Sequence, residues 1–230
     1  MDSLQPQHTN RHYEEDLRAL RGNLLKMGGL VEGQIAEAME SLVDRDTPKA
    51  RETIARDAEV NRLDVETDEQ CIRLLALHQP AASDLRFITT GLKITTDLER
   101  IGDNAVNICE RVLELNEEPQ LKPYLDLPRM AAAAQSMLKD SLDAFLRDDA
   151  ELAEEVIARD DEVDQLNYQM YRELLSYMAE DPHTIPRATR LLFISKYLER
   201  IADHATNIAE MVVYMVKGRT IRHMDKKKHE

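Results

Sequence analysis

LERIGDNAVNICE at 98–110 and LERIADHATNIAE at 198–210 are the same segment written twice, one hundred residues apart. Each copy spaces Glu, Asp and Asn four residues apart: Glu99, Asp103 and Asn107, then Glu199, Asp203 and Asn207. On an α-helix, steps of four stack side chains nearly above one another, so each copy is a ladder of oxygen ligands. Apolar residues in the same stretches recur at spacings of three and four, as Leu98, Ile101, Ala105, Ile108 and Val112, and as Leu198, Ile201, Ala205, Ile208 and Val212. That is the seam of a helix packed in a bundle. At about 100° per residue the ladder lies on the opposite side from the seam, outside the core and reachable from solvent.

Working outward, ETIARDAEVNRLD from Glu52 is repeated as EVIARDDEVDQLN from Glu155. Two repeated helices at similar offsets indicate a duplicated unit. Prolines mark where helices begin, because Pro fits a first turn and breaks an interior. Pro48 and Pro80 separate helices expected at roughly 11–45, 48–78 and 82–117; Pro119, Pro123 and Pro128 form a linker; helices at 128–147, 149–180 and 184–217 follow. The fold expected is all-α, two tandem three-helix bundles: 1–118, a linker at 119–127, 128–218, and a basic tail at 219–230. The first helices of the halves show little similarity to each other by eye. With 230 residues, 7 Gly, 8 Pro, 3 Phe and no Trp, the composition also suits long amphipathic helices rather than sheets.

A formal charge of −14 opposes a phosphate backbone and argues against nucleic acid as a partner. The one basic run, Arg219, Arg222, Lys226, Lys227 and Lys228, either touches anionic lipid or is simply solvated. Cys71 and Cys109 are too few for a disulfide framework, which points to a reducing cytoplasm. No charged-then-apolar leader opens the chain, and the longest apolar run, 211–216, is far short of the ~20 residues that span a bilayer. The expectation is a cytoplasmic protein with at most peripheral membrane contact.

The second helices carry ladders too: Asp57, Asn61, Asp64 and Asp68, and in the other half Asp160, Asp164 and Asn167. If second and third helices are antiparallel neighbours, their ladders converge on a groove, one per half, with four or more oxygens for a cluster of cations. Exposed acids are ordinary on a helix, yet like charges at i and i+4 cost a few tenths of a kcal/mol each and here recur in both copies. Carboxylate and amide oxygens without Cys or paired His suit Mg²⁺, Mn²⁺, Ca²⁺ or iron rather than a structural zinc. His204 points about 100° away from Asp203 and reads as solvent-facing, while Arg100 and Arg200 read as partners of neighbouring acids. A carboxylate-bridged di-iron enzyme would need interior Glu plus paired Glu-x-x-His; the one such motif, Glu180 to His183, spans Pro182 and has no counterpart. No Walker loop, His-Glu-x-x-His or Gly-x-Ser-x-Gly is present either. A plain helical scaffold is the other alternative.

At these residues the chain resembles the PhoU family of bacterial phosphate-signalling regulators. Besides LERIGD and LERIAD, the resemblance rests on MGGLVE (27–32), QPAASDLR (79–86), YMAEDPHTIPR (177–187) and YMVKGRTIRH (214–223). It implies a non-catalytic cytoplasmic adaptor that restrains phosphate-starvation gene expression when phosphate is plentiful. Its place would be between a phosphate ABC transporter and a membrane sensor histidine kinase, usually as a homodimer. It also implies multinuclear metal clusters, of iron or zinc with links to magnesium or manganese, held by Glu/Asp-x-x-x-Asp pairs. Carried over, that motif falls on Glu99 with Asp103 and Asp57 with Asn61, then on Glu199 with Asp203 and Asp160 with Asp164. Asn61 departs from the acidic pattern, so the first site is expected to hold its cation more weakly than the second, with Asp64 a substitute ligand. Ala202 stands where the first half has Gly102, a change that favours helix.

Overall fold

The computed structural model describes residues 7–219, with side chains from residue 12 onward. The described residues are helical apart from short turns and one linker: α1 (Gln7–Val43), α2 (Thr47–His78), α3 (Ala82–Leu115), α4 (Asp126–Arg147), α5 (Ala150–Ala158), α6 (Asp160–Glu180) and α7 (Ile185–Lys217). A 3₁₀ turn over Pro182–Thr184 leads into α7. Of the basic run, Arg219 is exposed, and Arg222, Lys226, Lys227 and Lys228 lie outside the described residues.

The expected helix over 149–180 is in fact α5 and α6, one rod kinked at Arg159. There the ladder tightens locally, with Arg159 N–H donating to Val156 O at 3.1 Å and Glu162 N–H to Arg159 O at 3.1 Å. Contacts three residues apart are the 3₁₀ pattern, and a short 3₁₀ step bends a helix.

The turns reveal that the duplication extends through the first helices. Arg45 and Asp148 are both left-handed, at φ 56° and 53°. Each is followed by an Asp that caps the next helix: Asp46 accepts from Lys49 N–H at 2.9 Å, and Asp149 from Leu152 N–H at 3.0 Å. Such caps satisfy amides that a helix start leaves without partners. The ion pair Arg56 Nη1–Glu37 Oε1 (2.6 Å) has its counterpart in Arg159 Nη2–Asp140 Oδ2 (2.7 Å). All these pairs stand 103 residues apart, so α4 repeats α1; the offset drops to 100 between the α6–α7 turn and its α2–α3 equivalent.

The halves join rather than hang as beads, since their buried residues form one continuous apolar core. Contacts between α3 and α7 run in opposite directions: Arg86 meets Met215 O, Asp97 meets His204, and Glu114 meets Arg190. α3 and α7 are therefore antiparallel across the centre of the molecule. α1 and α4 cross beside them, where a Cβ on Gly28 would fall 2.3 Å from Leu142 Cδ1. The leucine end occupies the place of the missing side chain, so any larger residue at 28 obliges Leu142 to shift. Arg45 ties down the start of the linker, its Nη2 donating to the carbonyls of Leu115, Asn116 and Glu118.

Candidate metal centres

In both halves the expected seam is buried: Leu98, Ile101, Ala105, Ile108 and Val112, and their repeats, have essentially no solvent exposure. The acids stand at the edge of the core, half-buried in the cases of Asp57, Asp64, Glu99, Asp103, Asp160 and Glu199, and exposed in the cases of Asn61, Asp164 and Asp203. Among the described residues no Glu is buried, whereas an interior di-iron site needs several.

In the first half, α2 and α3 bring Asp57, Asp64, Glu99 and Asp103 into one electrostatic cluster. Burial pushes the Glu99 carboxyl above its ordinary range, and the charge of Asp103 adds to it; Arg100 opposes, and Asp64 and Asp57 raise it further. Burial likewise raises Asp57, with Asp103 adding and hydrogen bonds from Gln34 and Asn61 opposing. Asp64 is raised by burial and by Asp68, against the pull of Arg100. Arg100 pairs with Glu99 at 3.4 Å and Asp103 at 3.2 Å, as expected for it.

The second half repeats the arrangement around Asp160. Burial, then Asp203 and Asp164, pushes its carboxyl up to about 6. Its Oδ1 accepts from Thr206 Oγ1 at 3.3 Å. Glu199 is largely covered, its side chain 15% exposed, and it pairs with Lys196 on the same helix.

The amides behave differently from the acids. Asn61 Nδ2 donates to Asp57 Oδ2 at 2.9 Å, so it steadies a carboxylate through its nitrogen. At the 103-residue offset the partner of Asn61 is Asp164 and the partner of Asp64 is Asn167. Amide and acid have exchanged rungs, and with Asp64 counted each half offers four carboxylates. Asn167 Oδ1 accepts from Ser195 Oγ at 2.6 Å. Asn207 leaves its ladder, its Nδ2 lying 3.4 Å from Asp97 Oδ1.

His204 is not solvent-facing. Its Nδ1 lies 2.8 Å from Asp97 Oδ1, and its side chain is 23% exposed. The 100° step away from Asp203 turns it toward α3, a neighbour that helix geometry alone does not reveal.

The donor set suits hard cations, since each groove offers carboxylate oxygens in a partly dehydrated, mutually repelling group. Among the described residues no three His, Cys, Asp or Glu side chains already stand grouped to hold an ion. The signal that sequence reasoning missed is on α1. Gln34 is 3% exposed, its Nε2 donates to Asp57 Oδ1 at 3.3 Å, and its Oε1 has no hydrogen-bond partner.

Comparison with known proteins gives the same architecture a family. The model of the PhoU domain matches residues 24–112 and 127–212, one match per half. The chain is 42% identical to the phosphate-specific transport system accessory protein PhoU homolog of Pseudomonas aeruginosa, over 97% of this chain and 92% of that protein. It is 37% identical to the PhoU accessory protein of Escherichia coli (strain K12), over 97% and 93%. The crystal structure of PhoU from Pseudomonas aeruginosa superimposes with a TM-score of 0.87, covering 90% of this chain and all of that one. That of the phosphate transport system regulatory protein PhoU from Streptococcus pneumoniae, 34% identical, gives 0.85 over 91% and 99%. With both repeats matched and near-complete coverage at this identity, the chain belongs to the PhoU family of accessory regulatory proteins, which are not enzymes.

Proposed function

We propose that this protein is a cytoplasmic, metal-binding adaptor that restrains phosphate uptake and phosphate-starvation signalling, linking a phosphate ABC transporter ATPase to a membrane sensor histidine kinase. The observation that carries the metal-binding part is the duplicated carboxylate groove. Asp57, Asp64, Glu99 and Asp103 in one half, and Asp160, Asp164 and Asp203 in the other, gather charge on an already acidic surface, with Glu199 one turn before Asp203 on the same helix. Asn61 steadies Asp57 from the neighbouring rung. Such crowding is costly without a counter-ion. A bound Mg²⁺, Mn²⁺, zinc or iron ion would supply positive charge there and turn a repulsive face into one that docks a partner.

The relatives in Pseudomonas aeruginosa and Escherichia coli are phosphate-specific transport system accessory proteins, which supports the transporter as partner. A homodimer is proposed on the same resemblance. Among the described residues no helix is long and apolar enough to cross a membrane, which is compatible with docking on membrane proteins from outside the bilayer.

The test is co-purification with the transporter ATPase and the sensor kinase, with and without chelator, for the wild-type chain and for Glu99→Gln combined with Glu199→Gln. The expected result is loss of metal, of the metal-induced rise in melting temperature and of both partners in the double variant. Unchanged metal content and thermal shift would sink the site assignment; partner retention in chelator would confine metal to stability.

A further inference from the structure

We propose that Gln34 is an additional, neutral oxygen ligand of the first-half metal site, and that the second half has none in its place; this rests on the metal-binding reading above. Gln34 comes from α1, a helix that contributes none of the acidic ladders. Its side chain is buried, yet Oε1 has no hydrogen-bond partner. A buried amide oxygen without a partner forfeits its hydration and gains nothing in return, so its presence needs a reason.

The orientation of the amide is fixed by chemistry. Nε2 donates to Asp57 Oδ1, and reversing the amide would set oxygen against carboxylate oxygen. Oε1 is then the atom left without a partner, and it lies beside Gly102 of α3. A Cβ built on Gly102 would lie 3.1 Å from Asp57 Oδ1 and 3.3 Å from Gln34 Oε1. Both oxygens thus press on the same glycine, which sits on α3 between Glu99 and Asp103. The missing side chain at 102 is the space that lets an α1 amide and an α2 carboxylate reach the α3 rungs together.

The other half has changed both parts. Gly102 is replaced by Ala202, and the residue 103 positions after Gln34 is Met137, buried in the core. A thioether is a poor ligand for hard cations, whereas an amide oxygen suits them. With equal numbers of carboxylates, the two sites then differ by one neutral oxygen.

The experiment uses the full chain carrying Asp160→Asn and Asp203→Asn, so that Mn²⁺ reports the first half. Free Mn²⁺ is followed by electron paramagnetic resonance as protein is titrated in. Adding Gln34→Met, the residue of the other half, is expected to weaken Mn²⁺ binding about tenfold, the scale seen when a supporting group of a metal site is lost. Gln34→Glu, which keeps an oxygen there, is expected to bind at least as tightly as the parent, and thermal melting by circular dichroism checks that each variant is folded. Equal binding by the parent and Gln34→Met overturns this inference alone, as does weakening of Gln34→Glu to the level of Gln34→Met. If the unmutated chain takes up no Mn²⁺, the metal-binding reading falls and the inference with it. If only the parent takes up none, the first-half site is wrong and so is the role of Gln34.

Discussion

His204 Nδ1 lies 2.8 Å from Asp97 Oδ1, joining α7 to α3 across the boundary between the two repeats. The residues at the equivalent places, Tyr197 and Asn104, are not chemically a second copy of this pair, so the duplicated chain carries one His–Asp pair rather than two. Facing a carboxylate, that ring nitrogen carries the proton. Removing the ring leaves a carboxylate that is 9% exposed with only the long contact from Asn207. His204→Leu should cost about 1–3 kcal/mol in chemical denaturation, the penalty for an under-satisfied buried group. A double variant with Asp97→Leu should recover part of that loss; strict additivity would show that the two side chains do not interact.

Asp160 makes stability depend on pH in a defined direction. It ionises near 3.8 in the unfolded chain but at about 6 in the folded protein. Between those values the folded state holds the extra proton, so this group's contribution favours folding below pH 3.8 and is lost as pH rises through 6. In metal-free protein at pH 7, Asp160→Asn should therefore raise stability by about 1–2 kcal/mol, allowing for partial exposure. The advantage should vanish near pH 3.5, and a melting-temperature difference independent of pH would refute the assignment.

Gly102→Ala should separate stability from metal binding. Alanine gains about 1 kcal/mol of helix propensity over glycine, but its methyl must displace Asp57 and Gln34 by a few tenths of an ångström. The metal-free melting temperature is expected to change little while the first half loses Mn²⁺ affinity severalfold. Calorimetric titration of the Asp160→Asn, Asp203→Asn background measures it, and unaltered affinity would show that Gly102 is not needed for the site.

Gly28 reports on the contact between the halves. Because a Cβ there would meet Leu142 Cδ1 at 2.3 Å, any side chain at 28 must displace that leucine, and a branched one demands more room than a methyl. Gly28→Val should destabilise the protein by about 1–3 kcal/mol through overpacking between α1 and α4. Leu142→Ala in the same chain should restore some of it; a Gly28→Val protein as stable as wild type would contradict the close crossing.

The repeated Glu-Arg-Ile-x-Asp segment and the proline spacing were enough for an all-α chain of paired helical repeats, because helical period and breaker positions are local properties written residue by residue. The same locality explains why the seam and the acidic edge of α3 and α7 were both legible. The kink at Arg159 was not, since its tightened hydrogen bonds leave no proline or glycine behind. The repeat in α1 and α4 escaped comparison by eye, as it survives in an ion pair and a capped turn rather than in identical letters.

What the sequence by itself determined is which residues share a helix face; what only the tertiary structure decided is what each face meets. Steps of four put Glu99 beside Asp103 whatever surrounds them, but the position of α1 brought buried Gln34 to Asp57, and the antiparallel pairing of α3 with α7 turned His204 from solvent to Asp97. Contacts between residues far apart in the chain depend on how whole helices cross, and that is set by the summed packing of their apolar faces rather than by any one motif.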